Sequence, residues 1–182
     1  MTNIDPDDDL GLDAGTVRLA NYDPRWPALF RAEAERILEA LGPLARAVEH
    51  YGSTSVPGLA AKPILDILVG TDQFGDPGPF TARLEPLGYE YAHWAGVPDH
   101  QVFGRGAPRS HLLHLVQFDG SSWRDALRFR DRLRTDATQR QAYAAVKLEL
   151  ATRYPTDRPR YTAEKGAFIE GVVSSHGQDS LP

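Results

Sequence analysis

Residues His50–Val69 read HYGSTSVPGLAAKPILDILV. The run Pro63–Val69 is short and almost continuously apolar, the pattern of a central strand buried on both faces. Ala45–Tyr51 before it reads as another strand, and Gly52–Lys62 between them as a small-residue loop with room for one helical turn. A strand that ends in Gly52-Ser53 and enters a helical turn presents bare N–H groups and hydroxyls, a common way to hold a phosphate. No Gly-Lys-Ser/Thr follows at the spacing of a P-loop, so the loop is not one. Taken alone it equally fits an ordinary turn. Asp66 changes its weight: strand alternation groups this carboxylate with Ile64 and Leu68 in an apolar setting. An ionised carboxylate there is costly unless it is paired or binds a metal. Two readings follow, an Asp salt-bridged to an arginine or a functional carboxylate sharing one site with Gly52-Ser53.

Working outward, Val17–Leu19 reads as a short strand or an extended lead-in, and Asp23-Pro24 as a helix cap with proline at the first helical position. Leu29, Phe30, Ala34, Ile37, Leu38 and Leu41 keep helical spacing up to Gly42-Pro43. Beyond the central segment the pattern predicts a helix at Phe80–Leu87 and strands at Tyr89–Tyr91, Gln101–Gly104 and His111–Phe118. Val97–Arg109 is turn-rich. Two or three helices close the chain, over Ser122–Arg134 with Ser122 and Asp125 as a capping box, Thr138–Tyr154 and Thr162–Val173. The fold class is α/β (α+β), a mixed sheet flanked by helices with a helical C-terminal third.

Length and a 41% hydrophobic content suit one buried core. The expected organisation is an acidic, disordered leader at 1–15, one domain at 16–173 and a flexible tail at 174–182. The net charge of −5 sits in the leader: without Asp5, Asp7, Asp8, Asp9 and Asp13 the chain holds 20 acidic and 20 basic residues. A neutral body lacks the basic stripe of an extended nucleic-acid surface, whereas a small phosphorylated ligand needs only a few local cations. No apolar run is long enough to span a membrane. The absence of cysteine and of a secretory signal points to the cytoplasm.

Other chemistry-bearing residues lie on predicted elements. His114 shares a strand face with Leu112, Val116 and Phe118, whereas His111 falls on the opposite face, so the two do not chelate one metal in a regular strand. His114 reads as a hydrogen-bonded core histidine or as a ligand or acid/base group. Of Glu49 and His50, one must point inward. Arg130 falls on the apolar stripe of Trp123, Ala126, Leu127 and Leu133, where a solvated arginine is out of place. The chain has three lysines, Lys62, Lys147 and Lys165, against 17 arginines. In so Arg-biased a composition they read as retained for a compact point charge, or as amines snorkelling from helix edges.

The segment His50–Val69 closely resembles the signature of the GrpB family of small bacterial proteins. Tyr22–Pro27, Ser110–Val116, Phe129–Arg134, Tyr143–Lys147 and Tyr161–Lys165 resemble further parts of that family. The resemblance implies a nucleotidyltransferase-like fold of the DNA polymerase beta type, in which a Gly-Ser turn precedes a strand carrying Asp-x-Asp and the carboxylates hold Mg²⁺. Gly52 and Ser53 match the turn and Asp66 the first carboxylate; Leu68 stands at the second. The implied site has Asp66 as metal ligand and catalytic group with His114 or Glu49 as base. Gly52, Ser53, Thr54, Ser55, Lys62, Arg130, Lys147 and Lys165 would surround the phosphates. The expected ligand is a nucleoside triphosphate or similar molecule, with nucleotidyl transfer to a small acceptor. The alternative is a non-catalytic nucleotide- or phosphometabolite-binding module tied to coenzyme A metabolism, since GrpB-like regions occur fused to dephospho-coenzyme A kinase.

Overall fold

The computed structural model describes residues 10–93 and 99–174. Its five strands are β1 (Ala47–Tyr51), β2 (Leu65–Thr71), β3 (Tyr89–Tyr91), β4 (Gln101–Arg105) and β5 (His111–Gln117). They form one sheet in the order β1-β2-β5-β4-β3. Only the β2–β5 pair is parallel, and the other three pairs are antiparallel. β2, with parallel β5 on one side and β1 on the other, is the central strand its continuous apolar run predicts. Leu65, Ile67, Leu68 and Val69 are all fully buried.

Helices α1 (Trp26–Leu41) and α2 (Gly78–Leu84) cover one face of the sheet. Ile37, Leu41, Phe80 and Leu84 pack there on Ile67, Val69, Phe103, Leu113 and Leu115. Helices α3 (Ser121–Thr135), α4 (Ala137–Arg153) and α5 (Arg158–Ser174) form the C-terminal third. Trp123 of α3 packs on Leu68 and Val116, residues of the other sheet face. Phe129, Leu133, Tyr143, Phe168 and Ile169 join the three helices to one another and to Val56 and Leu59 of the loop after β1. The loop that begins at Gly52 is thereby clamped between sheet and C-terminal helices.

Several local expectations need correction. α1 begins at Trp26 with Arg25 at its N-cap and Pro27 in the first turn; Asp23 does not cap it. Asp23 Oδ1 instead accepts a hydrogen bond from the Arg25 backbone N–H at 2.8 Å, a local turn that competes with capping. The cap of α3 is Gly120 without a side-chain hydrogen bond, so Ser122 and Asp125 form no capping box. Of the two readings of Val17–Leu19 the structure has the lead-in: no strand forms there, Ala20 makes a single bridge to Ala61, and the Val17 N–H donates to Pro155 O. Residues 10–15 of the expected leader are among the described residues, and some of them pack on the domain. Leu12 is buried and exchanges two backbone hydrogen bonds of 3.0 Å with Arg109, and Gly11 N–H donates to Pro63 O. Residues 1–9 of the expected leader, Val97 and Pro98 of the turn-rich segment and the tail from 175 lie outside the described residues.

On the α1 face sits a polar cluster that the sequence reading did not find. Buried Glu33 accepts from Tyr89 Oη at 2.9 Å and pairs with Arg36 at 2.7 Å and Arg105 at 3.2 Å. Arg105 also contacts His111, whose Nδ1 is 2.8 Å from Ser110 Oγ. Every member has a partner, as a buried polar network requires.

Candidate functional site

The antiparallel register puts Tyr51 opposite Asp66 and Glu49 opposite Leu68; the parallel register puts His114 opposite Leu68. Asp66, Glu49 and His114 therefore share the sheet face beneath the C-terminal helices. Tyr51 ends β1, and Gly52 follows with φ +70° and ψ −174°, a conformation open essentially to glycine alone. A Cβ at Gly52 would lie 2.3 Å from Asp66 Oδ2. The Asp66 carboxyl thus rests directly on the bare backbone of the Gly-Ser turn, and the two halves of the expected site meet. Ser53–Ser55 forms one 3-10 turn. Ser53 is partly exposed and its hydroxyl has no hydrogen bond among the described residues.

The three lysines of the chain converge on this carboxyl. Burial raises the Asp66 pKa, and the charges of Lys62, Lys165, Arg158 and Lys147 oppose that rise. None of them makes a hydrogen bond or close ion pair with Asp66 among the described residues, so the cations ring the carboxyl without quenching it. Lys62 lies just before β2, Lys147 on α4, and Arg158 and Lys165 on α5. Two tyrosines hold the amines in place. Lys147 Nζ stands 5.0 Å from the Tyr143 ring centre, and Lys62 and Lys165 stand 5.3 Å and 5.7 Å from that of Tyr161, in cation–π range. Lys147 Nζ also donates to Ala60 O.

Burial, with repulsion from Lys165 and Arg158, lowers the Lys62 pKa to about 7, while Asp66 pulls it the other way. Lys147 is lowered to about 7 by burial and by Lys165 and Lys62, again against Asp66. For Lys165 burial acts downward but Tyr143, Tyr161 and Asp66 prevail, and its pKa is raised. Four cationic groups around one carboxyl carry an excess of positive charge.

Other expected site residues are engaged elsewhere. Thr54 is buried, with its hydroxyl 3.0 Å from His50 Nε2, and Ser55 Oγ donates to Gly52 O at 2.6 Å. The Thr54 hydroxyl thus ties the turn to β1 and that of Ser55 closes the turn itself, which leaves only the Ser53 hydroxyl of the three without such a bond among the described residues. Arg130 pairs with Glu49 at 2.7 Å and also binds His50 O and Asp131. It ties α3 to edge strand β1, which explains an arginine on an apolar stripe and occupies Glu49. Asp66 is not its partner. His50, the neighbour of Glu49, faces the other way and stacks on Phe30 at 4.6 Å.

His114 packs edge-on against Tyr51 at 5.4 Å and has Nδ1 3.1 Å from His100 Nδ1. Burial, then His100 and Lys165, lower its pKa to about 3, so near neutrality it is uncharged and a poor base. Arg158, Tyr143 and Tyr161 are additions to the expected set. A signal for the tyrosines was present: Tyr143–Lys147 and Tyr161–Lys165 both have the i, i+4 spacing that stacks side chains on one helix face.

The donor set does not suit magnesium. Mg²⁺ takes oxygen ligands in octahedral array. Here Leu68 fills the second carboxylate position, cations surround Asp66, and no group of three or more His, Asp or Glu among the described residues could hold a metal.

The architecture, a mixed sheet flanked by helices with a helical C-terminal third, is shared with solved structures. A cytoplasmic RNA terminal U-transferase shares it as fold alone, with TM-score 0.50 and 14% identity over 73% of this chain and 41% of that one. The chain belongs to the GrpB protein family, whose profile matches residues 16–175. Crystalline GrpB from Enterococcus faecalis superposes with TM-score 0.77 at 30% identity, covering 88% of this chain and all of that one. A UPF0157 protein of Halalkalibacterium halodurans is 40% identical, over 87% of this chain and 81% of its own length. A dephospho-CoA kinase of Mycolicibacterium paratuberculosis is 29% identical over 82% of this chain, which spans 43% of that protein. No helix of the described residues is long and apolar enough to cross a membrane.

Proposed function

We propose that this protein binds a nucleoside triphosphate or a similar phosphorylated small molecule at the lysine-ringed Gly52–Ser53/Asp66 site. The observation that carries the reading is the meeting of all three lysines and Arg158 around one carboxyl on the Gly-Ser turn. Burial, and then repulsion among the cations, depress two lysines to about 7, and a bound polyphosphate would offset the repulsion and favour their protonated forms. Ser53 and the N–H groups of its turn would meet the phosphate, as the first N–H groups of a helical turn lack partners within the turn. Asp66 acts as the internal counter-ion that keeps the amines gathered when the site is empty. Likeness in sequence to part of a dephospho-CoA kinase supports a binding module acting beside phosphoester chemistry. The nucleotidyltransferase-like fold supports transfer of a nucleotidyl group as the reading in which the same site also catalyses.

Substitution at Asp66 separates counter-ion from metal ligand. Asp66→Asn removes a negative charge beside the bound anion and is expected to tighten binding of ATP in chelator about tenfold, at a few ångströms' separation in a partly screened site. Lys147→Met and Ser53→Ala are expected to weaken it, the lysine by about tenfold as a charge-assisted contact is lost. Calorimetry with folded variants reads all three. Unchanged affinity in both Lys147→Met and Ser53→Ala would remove the ligand from this site.

A further inference from the structure

Across β1 from Asp66 lies a cavity of about 420 Å³ lined by Pro27, His50, Ser55, Pro57, Arg134 and Arg140. His50 and Tyr51 alternate on β1, so His50 lines this cavity from the sheet face opposite to Asp66, whereas Arg134 of α3 and Arg140 of α4 line it from the C-terminal helices. Its size falls in the range of small-molecule sites, roughly 300–1,000 Å³. Both arginines are fixed by only part of their guanidinium. Arg134 Nε donates to Ser55 O at 3.0 Å, and Arg140 Nη1 donates to Leu133 O at 2.9 Å at the end of α3. Arg134 has one loose carboxylate contact, Nη1 to Asp131 at 3.5 Å, and Asp131 is held more closely by Arg130 at 2.7 Å. Arg140 pairs with no carboxylate among the described residues. The His50 ring is locked between Phe30 and Thr54, and the two prolines are rigid apolar walls.

We propose that this pocket is a second anion site, separate from the lysine ring, that takes the phosphate-monoester group of a small molecule between Arg134 and Arg140. Planar guanidinium forks match phosphate oxygens two at a time, and these are presented by pre-fixed side chains. His50 reports the local field independently: after burial, Arg134 and Arg130 are what lower its pKa, to about 3. The site goes beyond the lysine-ring reading and does not depend on it. The Ser53–Ser55 turn forms a wall of one site and the floor of the other, so a molecule in the arginine pocket would lie next to whatever the lysine ring holds.

The test uses the full chain and histidine-ring NMR, because His50 reports the arginine pocket and His114, within the field of Lys165, reports the lysine ring. Titrated with inorganic phosphate and with phenyl phosphate, the His50 resonances are expected to shift saturably, and to do so equally in Lys147→Met. Arg140→Gln should weaken that response about tenfold, and Arg134→Lys, which keeps the charge but loses the fork, should weaken it by a smaller factor. Arg134→Lys carries the test if Arg140→Gln does not fold. Silent His50 resonances at millimolar phosphate, an Arg134→Lys response equal to wild type, or an equal response to acetate would overturn the assignment. A silent His114 would count against the lysine-ring reading alone.

Discussion

Taking this protein from pH 7 to pH 5 is expected to remove on the order of 5 kcal/mol of its stability, a large share of what a domain of this size possesses. The cause lies in three histidines, His50, His111 and His114, each lowered from 6.5 to about 3, with burial the first cause in every case. Arginine charge adds to it for His50 and His111, and His100 and Lys165 for His114. A histidine whose folded pKa is depressed is held neutral in the native state. Below 6.5 the unfolded chain takes up protons that the native state refuses, so stability is fully present above 6.5 and falls as pH drops toward 3. Each such group contributes up to about 1.4 kcal/mol per pH unit in that window. Urea unfolding at a series of pH values reads the slope, and replacing His111 by glutamine should lower it by roughly a third. A stability flat between pH 7 and 5 would mean the histidines are not buried neutral as described.

The lysine ring adds the opposite flank. Lys62 and Lys147, depressed from 10.5 to about 7, bind fewer protons than the unfolded chain between those values, so stability should rise further above neutrality. A protein that grows more stable as its amines lose charge is holding that charge against its own folding, as functional sites often do. A bound polyphosphate would reverse the trend.

Gly52→Ala is expected to destabilise the protein by about 2–5 kcal/mol and to abolish ligand binding, combining a disfavoured backbone with an overpacked contact. The added Cβ would sit 2.3 Å from Asp66 Oδ2 and 2.7 Å from Asp66 Cβ, so the carboxyl must leave its place on the turn. Gly58 supplies the control. It too has positive φ, +76°, but a Cβ there meets nothing within 4 Å. Gly58→Ala should therefore show only the backbone cost, about 1–2 kcal/mol, and bind ligand normally. Equal effects of the two substitutions in urea unfolding and calorimetry would show that the contact between Gly52 and Asp66 has no importance.

The contrast between Asp66 and its surroundings shows how far sequence carries. A carboxylate in a continuous apolar run is an anomaly visible without coordinates, and β2 forms where that run lies. The lysines that surround it come from separate elements, so their convergence is a product of tertiary packing. Only the repeated Tyr-x-x-x-Lys spacing hinted that two of them share a design. Misreadings arose where local hydrogen bonds override a pattern. Asp23 turns on Arg25 instead of capping α1, the Thr54 hydroxyl is taken up by the His50 ring of β1, and that of Ser55 by Gly52 O within the turn. Arg130 was rightly out of place on an apolar stripe, but its partner is Glu49 of the edge strand, a pairing no spacing rule supplies.

Calorimetric titration of ATP, CTP, GTP and UTP into the wild-type protein, in chelator and again with Mg²⁺, tests the central claim most directly. The lysine ring predicts one-site binding of at least one triphosphate in chelator, no tighter with Mg²⁺, and weakened in Lys147→Met. Binding that appears only with Mg²⁺ and is lost in Asp66→Ala would contradict it and restore Asp66 as a metal ligand.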